Sequence, residues 1–290
     1  LGSRRGDSHG SARFARPDEI RKLGLLRQKT GVVIGGEVRF GRQRYYHAPD
    51  RRHVGIFGPS GCGKTTKLVI PTLLTENSSM VVLDIKMELF ASTARYREEV
   101  LGHTVHVFAP SIEAPWVSAY NPLRDIPRGN HEVAFAQALA RALVDPDGKL
   151  ETPDFWQASA ASLLTAAILH VLYVGEDVSL AGVLELLASP GQDIRKTLRT
   201  MAEAEHLELA RTGVGGVETK THPAVALETG KLLDLAPETL TGILATARSK
   251  LSLFLDPLIA ENTRRHDFSL ADLGNPDRPT TLYLVLPARD

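Results

Sequence analysis

Apolar positions along this chain follow two rhythms. Up to about residue 125, short aliphatic runs alternate with longer amphipathic stretches. The runs 53–57 (HVGIF), 79–84 (SMVVLD) and 104–108 (TVHVF) read as short buried strands. Between them, 64–74 (KTTKLVIPTLL) reads as a helix that Pro71 bends or interrupts. The stretch 87–101 (MELFASTARYREEVL) reads as a second helix, stopped at Gly102. Nearer the start, a short helix is expected around 18–26. Gly35 and Gly36, lying between two β-rich runs, signal a hairpin.

Between about residues 129 and 265 the strand signals vanish. Helices are predicted over 131–143, 155–174, 179–189 (with Ser179 as cap), 193–210 and 237–259. The Gly-rich 212–216 separates the last two. In the final stretch, Leu240, Ile243, Leu244, Ala247, Leu251, Phe254, Leu255 and Leu258 form one core-facing stripe. The run 280–287 (TTLYLVLP) then returns to strand character. Strand–helix alternation interrupted by a helical block predicts an α/β fold: a P-loop NTPase (RecA-like), mostly parallel sheet flanked by helices, with an inserted all-α domain. The expected division is 1–125 with 266–290 for the nucleotide-binding domain and 126–265 for the insertion.

Charge and composition sharpen this picture. Lys and Arg balance Asp and Glu at 34 each, which excludes a global basic field for nucleic acid. Residues 1–53, however, hold 13 basic against 5 acidic side chains, so this lead segment is either a solvated basic face or a surface for anions. No basic stripe interleaved with aromatics is visible, which argues against sequence-selective DNA readout. Cys62 is the only cysteine, excluding an internal disulfide or a cysteine-based zinc cluster. The segment 155–174 is long enough to span a bilayer and free of Asp, Glu, Lys and Arg, but its Gln157, Ser159, Ser162, Thr165 and His170 suit a buried core helix instead. Because the chain starts at Leu1, a piece of a longer protein is expected.

The candidate chemistry sits in Gly58-Pro59-Ser60-Gly61-Cys62-Gly63-Lys64-Thr65-Thr66, which fits G-x-x-x-x-G-K-S/T at every fixed position. Chance supplies such a match in about one chain in a hundred at average residue frequencies. A strand expected before it and a helix after it supply the right context. Glycines let successive amides wrap around an anion, and the following helix adds its positive end. Lys64 would reach the β- and γ-phosphates, and Thr65 would ligate Mg²⁺. Cys62, at that helix start, is expected to be a tolerated small residue whose modification by a bulky thiol reagent blocks nucleotide binding. Hydrolysis needs an acidic residue at the end of a second aliphatic strand. Asp84 is the candidate, with a helix N-cap or an ion pair to Lys86 as its structural alternatives; Pro287 stands where the other strand would need an acid.

Several segments occur in one order: 9–15 (HGSARFA), the P-loop, 81–97 (VVLDIKMELFASTARYR), 105–110 (VHVFAP), 120–123 (YNPL), 154–172, and SLADL followed by TTLYLVLP. Together they resemble the TraG-like type IV secretion coupling proteins, within the FtsK–HerA group of motor ATPases. The resemblance implies an ATP- and Mg²⁺-dependent coupling protein at the cytoplasmic face of the bacterial inner membrane. It would be anchored by N-terminal helices, assembled as a homo-hexamer, and recruit relaxase-bound single-stranded DNA or protein effectors to the secretion channel. It also implies that the all-α insertion recognises cargo. Asp84, Lys86 and Glu88 match the family's D-x-K-x-E positions, with Met87 where glycine is common. The family's Asp-Glu strand would follow the segment matching TTLYLVLP, so weak hydrolysis by residues 1–290 alone is expected. The rival readings are a docking module without turnover and a P-loop kinase using Asp84.

Overall fold

The computed structural model describes residues 15–26, 29–48, 53–148, 154–188, 191, 193–208, 211–212 and 218–286. Most of the 9–15 segment, parts of the basic lead, the glycine-rich 213–216 and Pro287 lie outside the described residues. Two compact units emerge, one formed by residues 1–80, 86–105 and 276–281, the other by 81–85, 106–275 and 282–290.

The first unit opens with helix α1 (Pro17–Lys22) and a hairpin of β1 (Val33–Arg39) and β2 (Arg42–His47). Gly35 and Gly36 do not make the turn. They lie inside β1, opposite Tyr46 and Tyr45, and the chain reverses at Phe40-Gly41. Both turn residues have positive φ, 52° and 71°, as a two-residue type I′ connection requires. The hairpin is fastened to the helix that follows the P-loop: Val33 N–H donates to Thr72 Oγ1 at 2.9 Å, and Gly31 N–H donates to the Glu76 carboxylate.

That helix begins as a π-turn over Thr65–Val69 and becomes α2 (Ile70–Thr75). Pro71 has no N–H to give to residue 67, and the wider turn before it relieves the clash its ring would cause in a regular helix. Fully buried Arg97, on α3 (Glu88–Glu99), closes the far end of α2. Its guanidinium donates to the Leu73 carbonyl, to Glu76 O at 3.0 Å and to Ser78 O at 3.1 Å, and its Nε donates to Thr281 Oγ1 at 2.7 Å. Carbonyls at a helix end have no amide of their own, so a cation there satisfies both hydrogen bonding and dipole. The same charge, together with burial, pushes the pKa of His103 down, burial being the larger cause. Burial pushes Glu76 up, but hydrogen bonds from Ser78 and Gly31 and the nearby Arg97 outweigh it, and the carboxyl titrates below its usual range.

The main sheet has the order β3–β7–β4, with β3 (Met80–Leu83), β4 (Thr104–Phe108) and β7 (Thr280–Leu284). The hydrogen bonds Thr104 N–H to Pro279 O and Val285 N–H to Phe108 O advance together along both strands, so the pair is parallel. The last strand is thus the central one; its Leu282 and Tyr283 are buried, as is Val285 just beyond it. The fold class read from the sequence is the one observed. Two strand expectations need correction. Residues 53–57 form no strand: Gly55 interrupts the run, no described strand pairs with it, and Phe57 is 95% exposed. β3 is buried on one face only; as an edge strand it leaves Val81 and Leu83 exposed.

The helical block contains α4 (Glu132–Val144), α5 (Phe155–Val174), α6 (Leu180–Ala188), α7 (Ile194–Glu203), α8 (Pro223–Leu233), α9 (Pro237–Leu251) and α10 (Pro257–Arg264). Helix α5 is long and apolar enough to cross a membrane, yet its second half is buried among α4, α6, α8 and α9. Asp154 caps it in a reciprocal capping box with Gln157. Ser179 caps α6 as expected, its Oγ accepting from Gly182 N–H at 3.1 Å.

Four departures from the predicted helices have local causes. The stretch 237–259 breaks at Asp256, which caps α10 with Pro257 at the first position, leaving Leu255 70% exposed. Helix α7 ends at Glu203 instead of continuing to 210. Helix α8, started by Pro223 behind the cap His222, is absent from the predicted helices. A two-residue ladder, β5 (Arg211–Thr212) with β6 (Glu218–Thr219), interrupts a block whose other described residues form no strand.

The YNPL segment serves this second unit as a strut. Fully buried Asn121 donates from Nδ2 to Val178 O at 2.7 Å and Arg264 O at 2.9 Å, and its Oδ1 accepts from Leu123 N–H at 3.0 Å. Tyr120 stacks on Phe268 and donates to Asp125; burial, then that carboxylate, raise its pKa.

Candidate nucleotide site

Within the first unit, the glycine loop has the backbone its sequence requires. Gly61 and Gly63 hold φ of 77° and 90°, the left-handed region that side chains resist. Gly58 serves a different need. A Cβ there would lie 2.8 Å from Cys62 Sγ, so a side chain at this position would push the Cys62 thiol aside. Lys64 turns its ammonium back over the loop, donating to Gly58 O at 2.6 Å and Pro59 O at 2.9 Å. Thr66 Oγ1 lies 3.4 Å from Gly63 O, and Thr65 is the first residue of the π-turn. Pro59, Ser60 and exposed Cys62 complete the surface of the loop.

These residues can cradle a polyphosphate. Left-handed glycines at alternate positions let loop amides turn towards an anion, the following helical turn adds its positive end, and Lys64 needs only to exchange two loop carbonyls for phosphate oxygens. The donor set also fits Mg²⁺, a hard cation that takes one hydroxyl from Thr65 and oxygens from the nucleotide. When bound, that ion would neutralise phosphate charge.

Asp84 is 3% exposed at the end of β3, and its N–H donates to Leu284 O at 2.9 Å. It belongs to the second unit. It is not a helix cap, because α3 starts four residues later, at Glu88, behind the N-cap Met87. Met87 itself holds φ of 59° and ψ of 13°, a left-handed conformation that explains why glycine suits this position. Lys86 and Glu88 flank it on the surface.

One part of the site escaped sequence reasoning. A cavity of about 430 Å³ joins the loop to the hairpin and is lined by Gly36, Gln43, Tyr45, Phe57, Lys64 and Lys67, among others. The Gly35-Gly36 pair was a visible signal, but nothing in the sequence tied the hairpin to the P-loop.

Comparison with known proteins places these features in context. The family described as Type IV secretory system Conjugative DNA transfer matches residues 13–290. A conjugal transfer protein TraG of Escherichia coli is 34% identical over 97% of this chain and 46% of its own length. Protein VirD4 of Rhizobium radiobacter is 30% identical over 97% of this chain and 39% of its own. The chain therefore spans less than half the length of these relatives. Among solved structures, the bacterial conjugative coupling protein TrwBdeltaN70 shares the fold, with a TM-score of 0.50 and 17% identity over 78% of this chain and 44% of its own. TrwB has also been solved in complex with the non-hydrolysable GTP analogue GDPNP.

Proposed function

The chain belongs to the type IV secretory system conjugative DNA transfer family, and from that premise we propose that its P-loop binds ATP with Mg²⁺ to drive transfer through a type IV secretion channel. The observation that carries the reading is the loop itself: left-handed Gly61 and Gly63, the Gly58 slot, and Lys64 at the start of the helical turn. In this reading Lys64 neutralises the β- and γ-phosphates, Thr65 holds the metal ion, and Asp84 is the candidate carboxylate for hydrolysis. Cargo is relaxase-bound single-stranded DNA or protein effectors, docked on the helical block. The complete protein works as a homo-hexamer at the cytoplasmic face of the inner membrane. The nucleotide analogue bound by TrwB supports the binding step.

The test uses Lys64→Ala in the complete protein. Transfer should be abolished while partner binding persists. Transfer at the wild-type level would refute the motor reading and leave a docking module, whose function needs no nucleotide.

A further inference from the structure

We infer that the cavity between the β1–β2 hairpin and the P-loop is the subsite for the nucleoside base, with Tyr45 and Phe57 as its stacking residues. The inference rests on the proposal that the P-loop binds a nucleotide, and names where the other end of that ligand goes. Three observations carry it.

First, the lining combines two kinds of chemistry. Lys64 and Lys67 supply positive charge, while Val38, Tyr45 and Phe57 supply apolar and aromatic surface. Val38 is 75% exposed and Phe57 95% exposed, although both adjoin a concave surface. A ligand suited to this cavity is anionic at one end and flat and apolar-faced at the other, which describes a purine nucleotide.

Second, the hairpin seats an aromatic ring on the cavity wall. Across the ladder Tyr45 faces Gly36, and its ring lies over that bare backbone: a Cβ on Gly36 would sit 3.6 Å from Tyr45 Cδ1. The neighbouring pair on that face is Val38 with Gln43. Glu37 also lines the cavity, and its carboxylate is already engaged: it accepts from Tyr46 OH at 3.0 Å and lies 3.6 Å from Arg44. Gln43, exposed at the rim, offers an amide donor and acceptor side by side, a match to the edge of a base.

Third, the two walls are bonded to each other. Thr72 Oγ1 accepts from Val33 N–H and donates to Leu68 O at 2.7 Å, and the Glu76 carboxylate accepts from Gly31. The hairpin is thus held beside the turn that follows the loop.

The experiment is a titration of residues 1–290, with Mg²⁺, against ATP and against inorganic tripolyphosphate, which has no base. Wild type should bind ATP about tenfold more tightly than tripolyphosphate, a typical gain from stacking a base on an aromatic ring. Tyr45→Ala should erase that gap by weakening ATP alone. Phe57→Ser, at a side chain too exposed to support the core, should narrow it several-fold. Lys64→Ala should weaken both ligands. Unchanged tripolyphosphate affinity in the Tyr45 variant shows that the loop remains folded. If wild type binds ATP and both aromatic variants keep the full gap, the base subsite is overturned while nucleotide binding stands. If wild type binds neither ligand, the nucleotide reading itself fails and takes the subsite with it.

Discussion

Replacing Arg97 by methionine would test how the P-loop helix is held in place. The guanidinium satisfies three carbonyls at or beyond the end of α2, those of Leu73, Glu76 and Ser78, plus the hydroxyl of Thr281. Methionine fills most of the volume but donates nothing. Three acceptors lose their partner, the Leu73 carbonyl buried and those of Glu76 and Ser78 partly so; at about 1–1.5 kcal/mol each the loss is at most about 4 kcal/mol together. Releasing the desolvated cation returns part of that, leaving a net loss of about 3 kcal/mol. Arg97→Lys should be no better than methionine, because one ammonium cannot reproduce the planar fork that reaches separate carbonyls. Amide hydrogen exchange reads this locally. Amides of α2, β3 and α3 should exchange about a hundredfold faster in both variants, since 1.4 kcal/mol is a factor of ten. Exchange within threefold of wild type in the methionine variant would refute the claim that Arg97 anchors this end. Wild-type protection in the lysine variant alone would show that charge, not geometry, does so.

Other expectations follow from single sites. Met87→Gly should stabilise the start of α3 by about 1 kcal/mol, because the left-handed backbone there costs a side-chain-bearing residue about that much; a rise in urea midpoint with an unchanged m-value checks it. A buried chain runs from Glu132 through His222 and His206 to His170, and Tyr173 donates to the same Glu132. His206 Nδ1 accepts from His222 N–H, so its neutral ring carries the proton on Nε2 and donates to His170. Burial first, then the neighbouring histidines, depress His206 to about 4. The unfolded chain takes up that proton near pH 6.5, so stability is full above this pH and lost as pH falls towards 4, about 2 kcal/mol of it between pH 7 and pH 5. Fluorescence of Trp116 and Trp156 during urea unfolding should show this fall, and His206→Gln should flatten it. Alkylating exposed Cys62 with a bulky maleimide should block ATP binding, and prior ATP should protect the thiol, since its sulfur lies 4.0 Å from Lys64 Nζ; full binding after complete modification would disprove that placement.

The sequence alone determined whatever depends on local pattern. The P-loop is a contiguous motif whose glycines specify their own backbone, so Gly61 and Gly63 could be read directly and were found in the required conformation. The strands at 80–83 and 104–108, the return at 280–284 and the buried helix 155–174 follow from runs long enough to outvote their neighbours. Tertiary structure decided what depends on partners distant along the chain. Whether 53–57 becomes a strand turns on a ladder partner that no local pattern supplies. The pairing of Arg39 with Arg42 moved the hairpin turn from the glycine pair to Phe40-Gly41. Only folding set Tyr45 and Lys64 around one cavity, and only folding turned Arg97, one arginine among many, into the cap of the P-loop helix. Motifs record what the backbone needs nearby, whereas sites assembled across loops record packing, and packing has no signature in a single sequence.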